Sequence, residues 1–562
     1  MAKTNNVEKN FYNPYSFVPL TRNVVVLADD EINNLELIQD VPFEDSLSGK
    51  IEIDFLSKTR FCVLGADEYN TNVDGKYYVP GSSIKGMLRS VFEMLTCSNI
   101  KNQIENNRYS MRDLTPGSGY ELKEGGQESG FIVKINDKHY IQPCSSEQIH
   151  YSRIKADIKN ERDIAKKYQK VGGRFTKDAL GNDSMYFFSG WMKKKEHEYL
   201  FTIPKTFDNL IPIDDETWND FIFVYEKETA KGPDKGNPNW KYWKGKLIEY
   251  KSVSEVSKDG IVPCFYRTYE DENSVLDFGL AYLYRQPYIN CVHDLLPKHY
   301  IDSEDAFKID IAQSVFGFVN EDVNDGDMSL KGRVYVGNSM LDNKYKPGAP
   351  QTFILGSPKP TYYPFYLKQE KGKKKTFSDD TEINGYKRYL LHDKELSGRA
   401  NRSSSSKTFY PMPAETSFKT VVYFHNLQEY ELGALLSAIT FCNHADMCYH
   451  SLGLAKPFGY GKLKVEGCSV TFDDDSQGNV AELCRSFDSV IMDCVKSRSE
   501  YKVNVERLIA LASGSYPTNS QGIRYPTSGM EMDENGNSSG LPNEFIAIKK
   551  SNYNIDDFSP NK

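Results

Sequence analysis

Apolar and polar residues alternate from Gly49 to Phe55, with Ile51, Ile53 and Phe55 on one side, which predicts a half-buried strand. A loop from Gly65 to Lys76 follows. Ile84, Met87, Leu88, Val91, Phe92 and Leu95 then recur at helical spacing, predicting a helix with one buried face and Ser82 or Ser83 as its cap. The same order returns near the other end of the chain. Phe418 to Phe424 reads as a strand, and Leu427 to Phe441 as a helix with Leu432, Leu435, Leu436 and Ile439 on one face. Leu463, Val465 and Val470 to Phe472 read as strand again. Two strand–helix units closing on a strand predict an α+β, RRM-like (ferredoxin-like) core.

The stretch between the two halves is too long for a loop, so residues 99–410 are expected to form a large insertion, in whole or part a second sheet-rich domain. Tyr186 to Gly190 and Tyr199 to Ile203 read as short strands within it. Lys231 to Pro238, Lys371 to Lys375 and Ser403 to Ser406 read as exposed loops. The first half of the core then occupies 1–98, led in by the aromatic, proline-punctuated segment Phe11 to Leu20, and the second half occupies 411–512. Residues 513–562, rich in Ser, Gly, Asn and charge, are expected to be a weakly ordered tail.

Composition modifies this picture in three ways. The 562 residues include 37 Tyr and 31 Phe, enough for a substantial core. The net charge of −9 argues against a free-standing nucleic-acid binder, which is usually basic. It fits local basic strips on an acidic body, as in a subunit whose neighbours share the charge. No apolar run reaches membrane-spanning length, no signal-peptide core opens the chain, and the ten cysteines follow no framework spacing. The expected location is the cytoplasm, with no membrane partner.

Two glycine-rich loops carry the candidate chemistry. The first is Val79-Pro80-Gly81-Ser82-Ser83-Ile84-Lys85-Gly86-Met87-Leu88-Arg89. Gly81, Ser82 and Ser83 fall at a helix N-terminus, where free N–H groups and the dipole attract phosphate, and Lys85 and Arg89 lie on one helix face. The second runs from Leu452 to Lys462. Lys456, Gly459, Tyr460, Gly461 and Lys462 form its candidate cradle: glycines let the backbone approach a phosphate, and Tyr460 either stacks on a base or packs on the sheet. The same residues also serve a helix cap and a tight turn.

With the loops at strand–helix and helix–strand junctions, the sequence resembles the RAMP superfamily of CRISPR systems. Pro80 to Arg89 looks like the family's first-helix motif, and Gly453 to Gly461 like its carboxy-terminal glycine-rich loop. Ile311 to Phe318, Leu330 to Val334 and Gly385-Tyr386-Lys387-Arg388-Tyr389 are similar to segments of larger members. The resemblance is greatest to backbone or capping subunits of type III effector complexes. It implies guide RNA (crRNA), target RNA and other effector subunits as partners. It also implies that Asp67, with Glu68 and Asp74 nearby, cuts target RNA, with Mg or Mn as the divalent cation and no tightly bound cofactor. The expected function is an RNA-binding subunit, with metal-dependent endoribonuclease activity resting on Asp67.

Two further clusters stand out. Cys442, His444, Cys448 and His450 are of zinc-binding type, although their spacing differs from common zinc folds, and Cys442 also continues an apolar helix face. His139, His150 and His197, the last in Lys193-Lys194-Lys195-Glu196-His197, suit acid–base RNA cleavage. The alternative function is therefore a stand-alone endoribonuclease that processes CRISPR transcripts.

Overall fold

The computed structural model describes residues 12–27, 45–64, 70–100, 104, 108–115, 120, 127–154, 156–190, 195–227, 237–269, 273–301, 308–319, 329–355, 362–370, 373–397, 406–517, 522–527 and 543–550. The chain divides into two compact units. One comprises Met1–Glu105, Val292–Lys375 and Asp380–Lys562, and the other Asn106–Cys291 and Thr376–Asp379.

The first unit is built on an antiparallel sheet whose main strands are β1 (Leu47–Ser57), β2 (Val334–Val336), β3 (Ser417–Leu427) and β4 (Lys462–Phe472), in the spatial order β2-β3-β1-β4. Short strands His450–Ser451 and Gln477–Gly478 both pair with β4. Period-two alternation puts Ile51, Ile53 and Phe55 of β1 opposite Val422, Thr420 and Phe418 of β3, all buried. Helix α1 (Gly81–Leu95) covers that face with Ile84, Leu88, Val91, Phe92 and Leu95, and α2 (Glu429–Thr440) with Leu432, Leu435, Leu436 and Ile439. α3 (Val480–Cys494) packs along α2, where Gly433 lets the Leu483 carbonyl approach. The α+β class and the core elements follow the apolar periodicity. The β1–α1 cap does not: the helix starts at Gly81 with Pro80 as N-cap, and neither Ser82 nor Ser83 caps it. The lead-in forms strand Tyr15–Val18, which is largely buried and pairs with Tyr386–Tyr389.

A buried ion pair fastens the rim of this sheet. Arg333, just before β2, donates from Nη1 to Glu431 Oε2 at 2.8 Å and also bonds Oε1 through Nη2. Its Nε reaches the Ser314 carbonyl at 3.2 Å, and Nη1 also donates to the Asn426 carbonyl. Glu431 in turn accepts the Gln428 backbone N–H at 2.9 Å, closing a capping box on α2.

The second unit has its own core around Phe131, Phe187, Phe201, Phe265, Trp240 and Trp243. One sheet orders Ile211–Ile213, Lys138–Cys144, Glu128–Ile135, Val262–Thr268 and Val275–Gly279, with Glu249–Tyr250 added in parallel to Glu128–Ile135. The other orders Ser146–His150, His197–Thr202, Asp183–Phe187 and Phe175–Lys177. Inside it, Glu198 is fully buried and satisfied by Lys167 Nζ at 2.9 Å, Lys195 Nζ at 2.7 Å, the Tyr151 hydroxyl and the Ser189 N–H.

Candidate nucleic-acid interface

The first glycine loop is closed upon the protein. A Cβ on Gly81 would stand 1.9 Å from the Val336 carbonyl oxygen, so only glycine lets the helix start against the end of β2. The Gly81 N–H donates to Asn338 Oδ1 at 2.9 Å, and the Ser83 N–H to the Pro80 carbonyl at 3.0 Å. Ser82 is exposed and Ser83 half-buried. Lys85 and Arg89 share a face as expected, but that face meets protein. Lys85 Nζ donates to the Val334 carbonyl at 2.8 Å. Arg89 pairs with Glu93 at 2.7 Å and reaches the Gly317 carbonyl at 3.3 Å, and both cations lie 5.8 Å from the Phe316 ring. Carbonyls left over at a strand edge and at a helix end attract these cations inward. Burial, with Arg89 adding, lowers the Lys85 pKa.

The second loop lies along the segment that continues β1. The Gly461 N–H donates to the Arg60 carbonyl at 2.9 Å, the Leu454 N–H to the Cys62 carbonyl at 2.9 Å, and the Lys462 N–H to Thr59 Oγ1 at 2.9 Å. Gly461 has φ +79°, and a Cβ there would sit 1.9 Å from the Leu452 carbonyl oxygen. Gly459 is buried against His392 to Glu395. Tyr460 is 2 % exposed, its hydroxyl accepting from Arg60 Nη2 at 2.9 Å, so it packs rather than presenting a face for a base. Arg60 is also held by Glu395.

The segment under this loop leads to the acidic loop. Leu64 bridges to Asn70, and the Thr71 N–H reaches the Val63 carbonyl at 3.3 Å, pinching the stem. Asp67 and Glu68 lie outside the described residues, and Asp74 is exposed at a hairpin turn with φ +50°. Among the described residues no group of three or more His, Cys, Asp or Glu converges as a metal site.

Lys456 and Lys462 are half-buried cations on the loop, and Arg388, from the strand paired with Tyr15–Val18, is the neighbour of Lys456. None of the three makes an ion pair with a described residue. Burial, then the charge of Arg388, lowers the Lys456 pKa, and burial pulls Arg388 down to about 10. Lys462 lies 4.1 Å from the Tyr449 ring and is likewise lowered, chiefly by burial. The Asp393 carboxylate opposes that lowering at Lys462, so the desolvated cations that repel one another, Lys456 and Arg388, are the ones that form a site for an anion. Arg388 stands in a motif visible in the sequence, but its approach to Lys456 depends on a strand pairing across the chain.

The Cys and His residues beside this loop do not converge. His450 Nε2 bonds the Ile439 carbonyl at 2.9 Å, His444 Nδ1 the Phe441 carbonyl at 2.9 Å, and Cys448 Sγ lies 3.9 Å from the Ile509 carbonyl. Burial pushes the Cys442 and Cys448 thiols up, the latter to about 12, against thiolate ligation. In the second unit, by contrast, His150 and His197 meet as a cross-strand pair with rings 5.1 Å apart, and Glu196 Oε2 is 3.5 Å from His150 Nε2. His139 stacks on Trp218 at 3.5 Å instead.

The site is thus a cationic glycine loop on the edge of an antiparallel sheet whose core face carries the helices. The family model of the RAMP superfamily matches residues 65–213, which bears out the resemblance read from the sequence. No curated protein matches the chain. Among solved structures, Csc2 of Thermofilum pendens is 15% identical, with 37% of this chain and 56% of that one covered and a TM-score of 0.13. The match thus spans just over half of the Csc2 chain. A chain of the type III-B Cmr-beta complex bound to cognate target RNA is 10% identical, with coverage of 75% and 97% and a TM-score of 0.18. One from the apo state of that complex is 10% identical, with coverage of 76% and 98% and the same TM-score of 0.18. No helix among the described residues is long and apolar enough to cross a membrane.

Proposed function

We propose that this chain is an RNA-binding subunit of a type III CRISPR effector complex, holding guide RNA by its phosphates while base pairing supplies sequence specificity. The observation that carries the reading is the pair Arg388 and Lys456, partly buried cations with no ion-pair partner among the described residues, beside a glycine loop that also bears Lys462, on which the Asp393 charge acts. The RAMP-superfamily match supports the class of complex. The strand order β2-β3-β1-β4, with connections through α1 and α2, supports an RRM-like core. Of the first loop, exposed Ser82 is the residue best placed to meet RNA, while Lys85 and Arg89 hold the protein together. Cleavage of target RNA is assigned to Asp67, whose loop is stemmed by the segment beneath the cationic loop. Co-expression with the neighbouring genes and purification on a tag tests the assembly: short guide RNAs and related subunits should come with the chain, and an RNA-free, solitary protein rejects the reading. In the assembled complex Asp67→Ala should abolish cutting, and undiminished cutting removes that assignment.

The His150–His197 pair favours one second reading, a stand-alone endoribonuclease using acid–base chemistry. It requires that the purified chain cut CRISPR repeat RNA in EDTA and that His197→Ala stop it.

A further inference from the structure

The sheet face turned away from the helices carries a row of side chains that the glycine loops leave unexplained. In β2, Val334 and Val336 are buried while Tyr335 is 68% exposed; in β3, Tyr423 is 51% exposed between buried Val422 and Phe424. The register sets Tyr335 opposite Tyr423, with ring centroids 6.5 Å apart and planes 35° from parallel. Tyr423 lies opposite Lys50, Lys50 opposite Thr471, and Thr471 opposite Gln477. The row therefore reads Tyr, Tyr, Lys, Thr, Gln across the sheet. Thr471 and Gln477 bond one another at 3.1 Å. Neither tyrosine hydroxyl, nor the Lys50 ammonium, has a partner among the described residues.

The chemistry of the row selects its occupant. Exposed tyrosines also occur in protein interfaces, but the core of such an interface is depleted of charged residues. Here the neighbours are a cation, a hydroxyl and an amide, and the nearest aliphatic on the adjoining row, Val421, is half-buried. Exposed rings stack on the faces of unpaired bases, an ammonium meets phosphate, and hydroxyl and amide groups bond base edges. The carboxylates on this face, Glu52 and Asp54, both lie near Lys419, at 4.0 and 3.8 Å, while Lys50 makes no ion pair with a described residue. The row crosses β4 at Thr471, the opposite end from Lys462, about 30 Å away at ordinary strand rise.

We infer that Tyr335 and Tyr423, with Lys50, form a stacking platform for unpaired bases of single-stranded RNA. The inference rests on the RNA-binding reading and adds a second contact surface to it. The test uses the full chain and a labelled, mixed-sequence single-stranded RNA, with a duplex of the same length as control, read by fluorescence anisotropy. Tyr335→Ala with Tyr423→Ala should weaken single-strand binding by about 5- to 150-fold per lost stack and leave the duplex unchanged. Tyr→Phe at both positions should bind as the wild type, and Tyr→Leu as weakly as alanine. Wild-type binding by the alanine variant overturns the platform. Wild-type binding by the leucine variant also overturns it, because apolar contact then suffices without a ring to stack. Guide RNA recovery by the wild-type chain judges the underlying reading separately: it fails if no guide RNA is recovered, whereas the platform fails on the tyrosine variants alone.

Discussion

Arg333→Met is the substitution whose cost the structure specifies most closely. Methionine retains much of the aliphatic stem and removes the guanidinium. Arg333 is 5% exposed and Glu431 2%. Without the arginine, Glu431 keeps the Gln428 N–H at 2.9 Å and the Ser314 hydroxyl at 3.1 Å, and loses both bonds to a positive charge. Stranding one member of a buried pair costs about 3–5 kcal/mol, a large share of a typical stability of about 5–15 kcal/mol. Urea unfolding followed by far-UV circular dichroism reads the loss. The double variant Arg333→Met, Glu431→Leu should recover most of it, less about 1 kcal/mol for the lost cap. A loss under about 1 kcal/mol at neutral pH, or a double variant no more stable than the single one, refutes the reasoning.

Four other outcomes are expected. Gly461→Ala, forced to φ +79° with its Cβ 1.9 Å from the Leu452 carbonyl, should lose at least about 1–3 kcal/mol. Gly86→Ala, exposed in mid-helix with open space around its Cβ, should gain about 0.5–1 kcal/mol; thermal melts of the two variants moving in the same direction contradict this account. Burial holds His450 down to about 4 from its usual 6.5, so the unfolded chain takes the proton first, and stability present above pH 6.5 is lost as pH falls toward 4. The loss is on the order of 3 kcal/mol, and His450→Gln should remove that share of the slope in acid-range unfolding curves. Lys456→Ala should weaken RNA binding alike for all sequences and reduce the slope of log affinity against log salt by about 0.7, measured by titration at several salt concentrations; an unchanged slope removes Lys456 from the phosphate contacts.

Periodicity made much of the core legible. The strands at Ile51–Phe55 and Phe418–Phe424 and the helices bearing Ile84 and Leu432 each have enough residues for a two- or 3.6-residue repeat to show. Val334–Val336 does not: three residues carry no pattern, and their place on the sheet edge depends on pairing with Val422–Phe424, far along the chain. The site was legible in kind more than in detail. A Lys85, Arg89 spacing gives a shared helix face but not what that face meets, and here it meets the Val334 and Gly317 carbonyls. Tyr460 looked equally suited to stacking or packing, and only the position of Arg60 and Phe353 around it decides for packing. Arg388, the Tyr335–Tyr423 row and the His150–His197 pair are all products of strand register, which no local pattern encodes.

The interleaving of the two units along the chain sets an order for folding during synthesis. Nearly all of the second unit is contiguous, Asn106–Cys291, so its aromatic core can close soon after it emerges from the ribosome. β1 is made earlier, yet Leu56 must wait for Ser417, and Phe55 for Val465. For most of translation the apolar strand Ile51–Phe55, central in the finished sheet, therefore lacks both its partners, and its two open edges are the kind of surface a chaperone covers.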